Sequence, residues 1–188
     1  MESWLIPAAP VSVVEEIKKS RFITLLAHTD GVAAAKAFVE SVRADHPDAR
    51  HHCVAWVAGP PDDSQQLGFS DDGEPAGTAG KPMLAQLMGS GVGEITAVVV
   101  RYYGGILLGT GGLVKAYGGG VHQALALLTT QRKTPLTASA NPARVLEYQH
   151  VPRNVYVGDI TFDTQGHPII LFVLSKGFES GPENGPRE

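Results

Sequence analysis

The distribution of apolar and polar residues along the chain predicts alternating strands and helices. Val11–Lys19 is β-branched at its start and charged at its end, which suits a strand near a sheet edge. Phe22–Ala27 reads as its partner, with Lys18-Lys19-Ser20-Arg21 between them as a solvated hairpin turn or as a basic lip beside a binding face. Ala35, Phe38, Val39 and Val42 recur at helical spacing, with Thr29 or Asp30 as the expected cap and Pro47 beyond the stop. Arg50–Ala58 reads as a strand. Its alternation puts His52, Val54 and Trp56 on one face and His51, Cys53 and Ala55 on the other. Gly59-Pro60-Pro61-Asp62-Asp63 is a surface turn.

Met83, Leu84, Leu87 and Met88 mark one face of a second helix, with Pro82 in its first turn and Gly89 or Gly91 at its end. Ile95–Val100 is a nearly unbroken apolar run, short and β-branched, as in a strand covered on both faces. Leu113, Tyr117, Val121, Ala124, Leu125 and Leu128 trace a third helix that contains Gly118-Gly119-Gly120. Each of those glycines costs about 1 kcal/mol relative to alanine in a helix, so close packing on a sheet or a kink is expected there. The order of elements implies an α+β layered sandwich, with helices packed on a mostly antiparallel sheet.

Composition narrows the function classes. A 43% apolar content over 188 residues supports a real core. The net charge of −4 argues against coating nucleic acid or membrane by bulk charge, but leaves room for a local basic groove. Cys53 is the only cysteine, so one chain can build neither a disulfide framework nor a cysteine-rich zinc site. Met1–Pro7 lacks the features of a signal peptide, and no run reaches the roughly 18 apolar residues of a membrane span. A cytoplasmic protein without membrane contact is expected.

Two glycine-rich loops flank the Ile95–Val100 strand, and each runs into a helix. The first is Ser70-Asp71-Asp72-Gly73-Glu74-Pro75-Ala76-Gly77-Thr78-Ala79-Gly80-Lys81-Pro82. The second is Arg101-Tyr102-Tyr103-Gly104-Gly105-Ile106-Leu107-Leu108-Gly109-Thr110-Gly111-Gly112-Leu113. Helix starts present unpaired N–H groups and attract anions, and glycine lets the backbone come close to a phosphate. Lys81, Arg101 and Thr78 add a charge, a fork and a hydroxyl. The standard motifs fail, however. Pro75 and Pro82 stand where a P-loop needs glycine and Ser or Thr, and Val114 stands where a dinucleotide fingerprint needs glycine.

Asp71, Asp72 and Glu74 would repel phosphate. They pair with Arg50, Arg101 or Lys81, or hold Mg²⁺ that bridges to phosphate, or form a plain polar turn. No Ser-His-Asp set or HExxH is present, and the two adjacent histidines point apart, so no catalytic residue and no metal ligand set is assigned. Cys53, in mid-strand, reads as core. Tyr102 and Tyr103 face opposite sides, one toward the core and the other free to stack on a base.

These two loops, together with Lys19-Ser20-Arg21-Phe22 and His51-His52-Cys53-Val54-Ala55, resemble the IMPACT family over about residues 11–133. The resemblance implies a two-layer sandwich like the second domain of ribosomal protein S5, a fold used on RNA and ribosomes, and a link to translational control. It carries a binding surface onto Lys19, Arg21, His52, the Asp71–Lys81 loop, Arg101 and the Gly104–Gly112 loop. The anion-binding candidates are therefore Lys19, Arg21, His52, Asp71, Asp72, Glu74, Thr78, Lys81, Arg101, Tyr103, Gly109, Gly111 and Gly112.

Residues 1–133 form the expected family domain, and 134–188 an atypical tail. Bacterial relatives usually continue into a ferredoxin-like domain, which is not recognisable here. Val155–Phe162 and Ile169–Leu174 suit a hairpin, and the Gly-, Pro- and Glu-rich Phe178–Glu188 reads as disordered. A shifted reading frame or a truncation is the expected origin of this tail. The leading expectation is a non-enzymatic RNA- or ribosome-binding protein of translation, acting with translation-control proteins and needing no cofactor beyond Mg²⁺ at most. Its binding should weaken with salt and on Arg101→Ala or Lys81→Ala. The alternatives are a metal-assisted hydrolase built on Asp71, Asp72 and Glu74, and a protein-interaction module.

Overall fold

The computed structural model describes residues 3–134, 155–162 and 164–174. The chain divides into two units, Met1–Thr134 and Pro135–Glu188. In the first, β2 (Val11–Ile17), β3 (Ser20–His28), β4 (His51–Val57), β5 (Leu67–Ser70) and β6 (Ile95–Tyr102) form one sheet in the order β2-β3-β6-β4-β5. Every neighbouring pair in it is antiparallel. The continuous apolar run becomes the central strand, β6, buried from Ile95 to Arg101. A central strand has a covered face on each side, which explains why no polar alternation interrupts it.

The two faces of the sheet carry different helices. Cys53, Ala55, Ala97, Val99, Phe22 and Leu26 pack under α2 (Gly80–Ser90) and α3 (Gly109–Leu127), forming the main core. Val54, Val98, Val100 and Ile23 pack under α1 (Val32–Asp45) on the opposite face, in a smaller cluster with Val39 and Val42. The fold is α+β, with sheet and α2/α3 as its two principal layers and α1 as cover for the back. A two-stranded antiparallel sheet pairs β1 (Trp4–Pro7) with β7 (Thr130–Lys133). No helix among the described residues is long and apolar enough to cross a membrane.

Several local expectations are corrected. β2 stops at Ile17, and Ser20 is no turn residue: it opens β3 and is fully buried. Thr29 does not cap α1. It is buried with its hydroxyl 2.6 Å from that of Thr96, and the helix begins after Gly31 with no side-chain cap. Met88 is exposed on α2, whereas Met83, Leu84 and Leu87 face the core. Gly91, at φ 74°, ends α2 in the left-handed conformation that glycine adopts without strain.

In the second unit, β8 (Val155–Phe162) and β9 (Pro168–Leu174) pair antiparallel, with an irregularity between Val157 and Asp159. These strands coincide with the two apolar runs of the tail. The Phe178–Glu188 segment lies outside the described residues.

Candidate nucleic-acid interface

The first glycine-rich loop folds around its own carboxylate. Asp71 accepts backbone N–H bonds from Gly77 at 2.9 Å, Ala79 at 3.1 Å and Gly80 at 2.9 Å. Burial alone would raise the Asp71 pKa, but these three donors outweigh it and hold the carboxyl below its ordinary value. The positive end of α2 is thus already satisfied from within the chain. Thr78 is buried and donates to the Pro75 carbonyl at 2.6 Å, so its hydroxyl is engaged as well. Asp72, at φ 40°, accepts from the His52 backbone N–H at 2.7 Å and lies 3.7 Å from Arg43. His52 is buried against the His46 carbonyl, 2.7 Å from Nε2.

Glu74 and Arg101 meet in the interior. Arg101 is 4% exposed, and its Nη1 donates to Glu74 Oε2 at 2.7 Å. Its Nε and Nη2 reach the Ser20 hydroxyl at 3.3 and 3.2 Å. The Tyr117 hydroxyl donates to the same Glu74 oxygen at 2.5 Å. Burial, followed by the neighbouring Cys53 and Glu74, pushes the Tyr117 hydroxyl far up, so it stays a donor. Burial also pushes the Cys53 thiol up, and its Sγ donates to the Asp71 carbonyl at 3.1 Å. Cys53 is therefore a core residue, as its mid-strand position suggests. The three acids have three separate destinations: Asp71 takes the start of α2, Asp72 the edge of β4, and Glu74 the buried arginine. No group of three or more metal-ligating side chains converges among the described residues.

The start of α3 differs from that of α2. It follows Leu108 with no side-chain cap, so the first N–H groups of Gly109–Gly112 lack that partner. Beside it opens a cavity of about 350 Å³, with Arg50, His51, Glu74, Arg101, Tyr103 and Leu107 in its wall. Gly109 and Thr110 form part of the mouth, whereas Gly112 lines a neighbouring cavity of about 390 Å³ with Lys18 and Lys115. Gly111 is exposed and lines neither cavity.

Four cations without an ion-pair partner among the described residues lie at this end of the sheet. Lys18, Lys19, Arg21 and Arg50 have no carboxylate within 4.0 Å among the described residues. Register places them together: Arg21 pairs with Tyr102, and the Arg50 N–H bonds the Arg101 carbonyl at 3.0 Å. The guanidinium of Arg21 lies 4.6 Å over the Tyr102 ring, and that of Arg50 4.8 Å over Tyr103. Gly104 packs so tightly on the Lys19 carbonyl that a Cβ there would lie 1.9 Å from it. The hairpin lip and the second glycine loop therefore form one surface.

Among the sequence candidates, the structure unites Lys19, Tyr103, Gly109 and the Arg101–Glu74 pair, whereas Arg21 lies at the same end of the sheet but over Tyr102 on its α1 face. Asp71, Asp72, Thr78 and His52 are engaged internally, and Lys81 is exposed at the start of α2, outside the cavity wall. Arg50 and His51 were not singled out as binding residues. The opposed facing of His51 and His52 was the available signal, because it puts His51 on the Glu74 side. A second buried acid, Glu94, was missed entirely. It accepts from Trp4 at 2.9 Å and Lys133 at 2.9 Å, and lies 2.7 Å from His28, all remote in sequence.

Residues 18–125 match the model of the Impact N-terminal domain family. The IMPACT family member YigZ of Escherichia coli is 94% identical over 137 residues, 73% of this chain and 67% of that protein. An IMPACT family member of Haemophilus influenzae is 65% identical over 137 residues, 73% of this chain and 66% of its own length. A crystal structure described as that of a hypothetical protein is 70% identical and superposes with a TM-score of 0.73, covering 96% of this chain and 89% of that one. The match thus spans about two thirds of the length of the two curated relatives.

Proposed function

The chain belongs to the IMPACT family, and on that premise we propose that it is an RNA-binding protein acting in translation, which holds RNA at the end of the sheet formed by the Lys18–Lys19 lip, Arg21, Arg50 and the start of α3. One observation carries the reading. Lys18 and Lys19 form the two-residue turn between β2 and β3, with φ of 48° and 67°. Such a turn favours Asn-Gly, since the left-handed conformation costs other residues about 1 kcal/mol or more each. Two lysines in this position trade stability for a doubly charged tip. Backbone strain of this kind gathers at functional sites. Tyr103, under Arg50 in the wall of the cavity, adds a flat surface suited to a nucleotide. The family's link to translational control points to ribosomal RNA as the partner.

The test is the replacement of Lys18-Lys19 by Asn-Gly. This variant should unfold at higher denaturant, by about 1 kcal/mol, and bind structured RNA more weakly with a shallower salt slope. Ribosome co-sedimentation at low salt should fall in parallel. Unchanged RNA affinity in a stabilised variant would refute the reading, as would the absence of any RNA or ribosome binding by the parent chain.

A further inference from the structure

The cavity at the start of α3 brings a carboxylate oxygen and an imidazole nitrogen side by side in its wall. Glu74 is 8% exposed, and its Oε2 receives both the Arg101 and the Tyr117 hydrogens. Its Oε1 receives no hydrogen bond among the described residues and stands 3.6 Å from His51 Nε2. The Nδ1 of His51 lies 2.7 Å from the Asp72 carbonyl oxygen. A carbonyl only accepts, so in the neutral ring the hydrogen sits on Nδ1 and Nε2 keeps its lone pair. In that ring form Nε2 and Glu74 Oε1 both present lone pairs in the cavity wall, whereas a protonated ring would donate from Nε2 to the carboxylate. A single group bringing two N–H bonds would satisfy both.

We propose that this cavity takes one unpaired nucleotide of the bound RNA, with an amino-bearing base whose N–H groups bridge Glu74 Oε1 and His51 Nε2. The inference rests on the RNA reading above and names what the site selects. The volume of about 350 Å³ lies at the small end of ligand pockets and suits one nucleotide. Leu107, Leu108, Leu113 and Tyr103 give apolar walls for a base. Arg50 and the uncapped start of α3 stand at the same cavity for its phosphate. Uracil fits poorly, because its single N–H is flanked by two carbonyl oxygens that would meet the acceptors. A peptide amine also offers N–H groups, but it would bring positive charge toward Arg50 and the positive helix end.

The experiment uses the full chain and fluorescence anisotropy with labelled ten-nucleotide oligo(A), oligo(C) and oligo(U). Oligo(A) and oligo(C) should bind about tenfold more tightly than oligo(U), in line with one good base contact. Thr110→Trp, at an exposed position on the cavity mouth, should bring that ratio within about twofold and leave a salt-dependent remainder. Circular dichroism checks that this variant is folded, and His51→Ala is the second variant, expected to reduce the same ratio. Equal binding of all three oligonucleotides, or preference for oligo(U), overturns the base pocket while leaving RNA binding intact. A preference that survives both variants places it elsewhere and also overturns the pocket. If no oligonucleotide binds, the RNA reading fails, and AMP against UMP by calorimetry judges the pocket alone. Binding of AMP and not UMP then supports a free-nucleotide site, and no difference overturns it.

Discussion

Arg101 and Arg50 lie at the same cavity and have opposite physical roles. Arg101 is enclosed by Glu74, Ser20 and Phe22, so removing it leaves a carboxylate without its ion-pair partner in the interior. Breaking a buried pair from one side costs about 3–5 kcal/mol. Arg50 is exposed and stacks on Tyr103, and its truncation should change stability by no more than about 0.5 kcal/mol. Urea denaturation should therefore show a large loss for Arg101→Ala and almost none for Arg50→Ala. RNA binding measured well below either midpoint should show the larger specific loss for Arg50→Ala. This ordering departs from a reading of the bare sequence, in which Arg101 is a ready-made phosphate fork. The motif locates Arg101 at the site, but the motif does not contain its partners. Ser20 and Glu74 are 81 and 27 residues away, and only the fold reveals which of the acids the sequence allows answers the guanidinium. Asp71 teaches the same lesson, since its three N–H partners lie within its own loop and close the helix start that appeared open.

At the scale of elements, the pattern of apolar positions served well where it was long and simple. The β6 run, the β4 alternation and the α3 stripe all reappear in the structure. Short elements were illegible: β5 has four residues, and β1 and β7 pair across more than a hundred positions. The three glycines of α3 show why a pattern can raise the right question without answering it. A Cβ on Gly120 would stand 2.4 Å from the buried Thr24 hydroxyl oxygen, so this glycine lets α3 lie close on β3. A Cβ on Gly118 would make ordinary contact at 3.5 Å with Pro82, and one on Gly119 would meet nothing within 4 Å. Gly119→Ala should therefore stabilise the protein by about 0.5–1 kcal/mol, the helix-propensity difference. Gly120→Ala should destabilise it by about 1–3 kcal/mol through overpacking. Thermal melts of the two variants should move in opposite directions. A stabilising Gly120→Ala would mean that Thr24 yields without strain and that the close approach is not why the glycine is there.

For the whole molecule, the Glu94 cluster ties the first unit together at the end of the sheet away from the cavity. Lys133 on β7 reaches Glu94 at 2.9 Å and Asp30 at 3.2 Å, and β7 itself pairs with β1, whose Trp4 also bonds Glu94. A fragment ending at Thr134 keeps all of these contacts. One ending at Thr129 removes β7 and Lys133, and leaves the fully buried Glu94 with only Trp4 and His28. The longer fragment should be more stable by about 3 kcal/mol or more near neutral pH, because the shorter one breaks a buried pair and a strand pairing. The difference has a definite pH signature. Burial opposes ionisation of Glu94, but hydrogen bonds from His28, Lys133 and Trp4 prevail and hold its pKa below the ordinary 4.5. A depressed carboxylate contributes its stability above the unfolded pKa and loses it as pH falls through the folded one. Lys133 is held above its ordinary 10.5, despite opposing burial, by its bonds to Glu94 and Asp30, so its share persists below 10.5 and fades as pH rises through the folded value. The gap between the fragments should thus be flat from about pH 5 to 10 and narrow at both extremes, as read from urea midpoints across pH. A gap that does not narrow below pH 4 would mean that strand pairing, and not the Lys133–Glu94 pair, accounts for it.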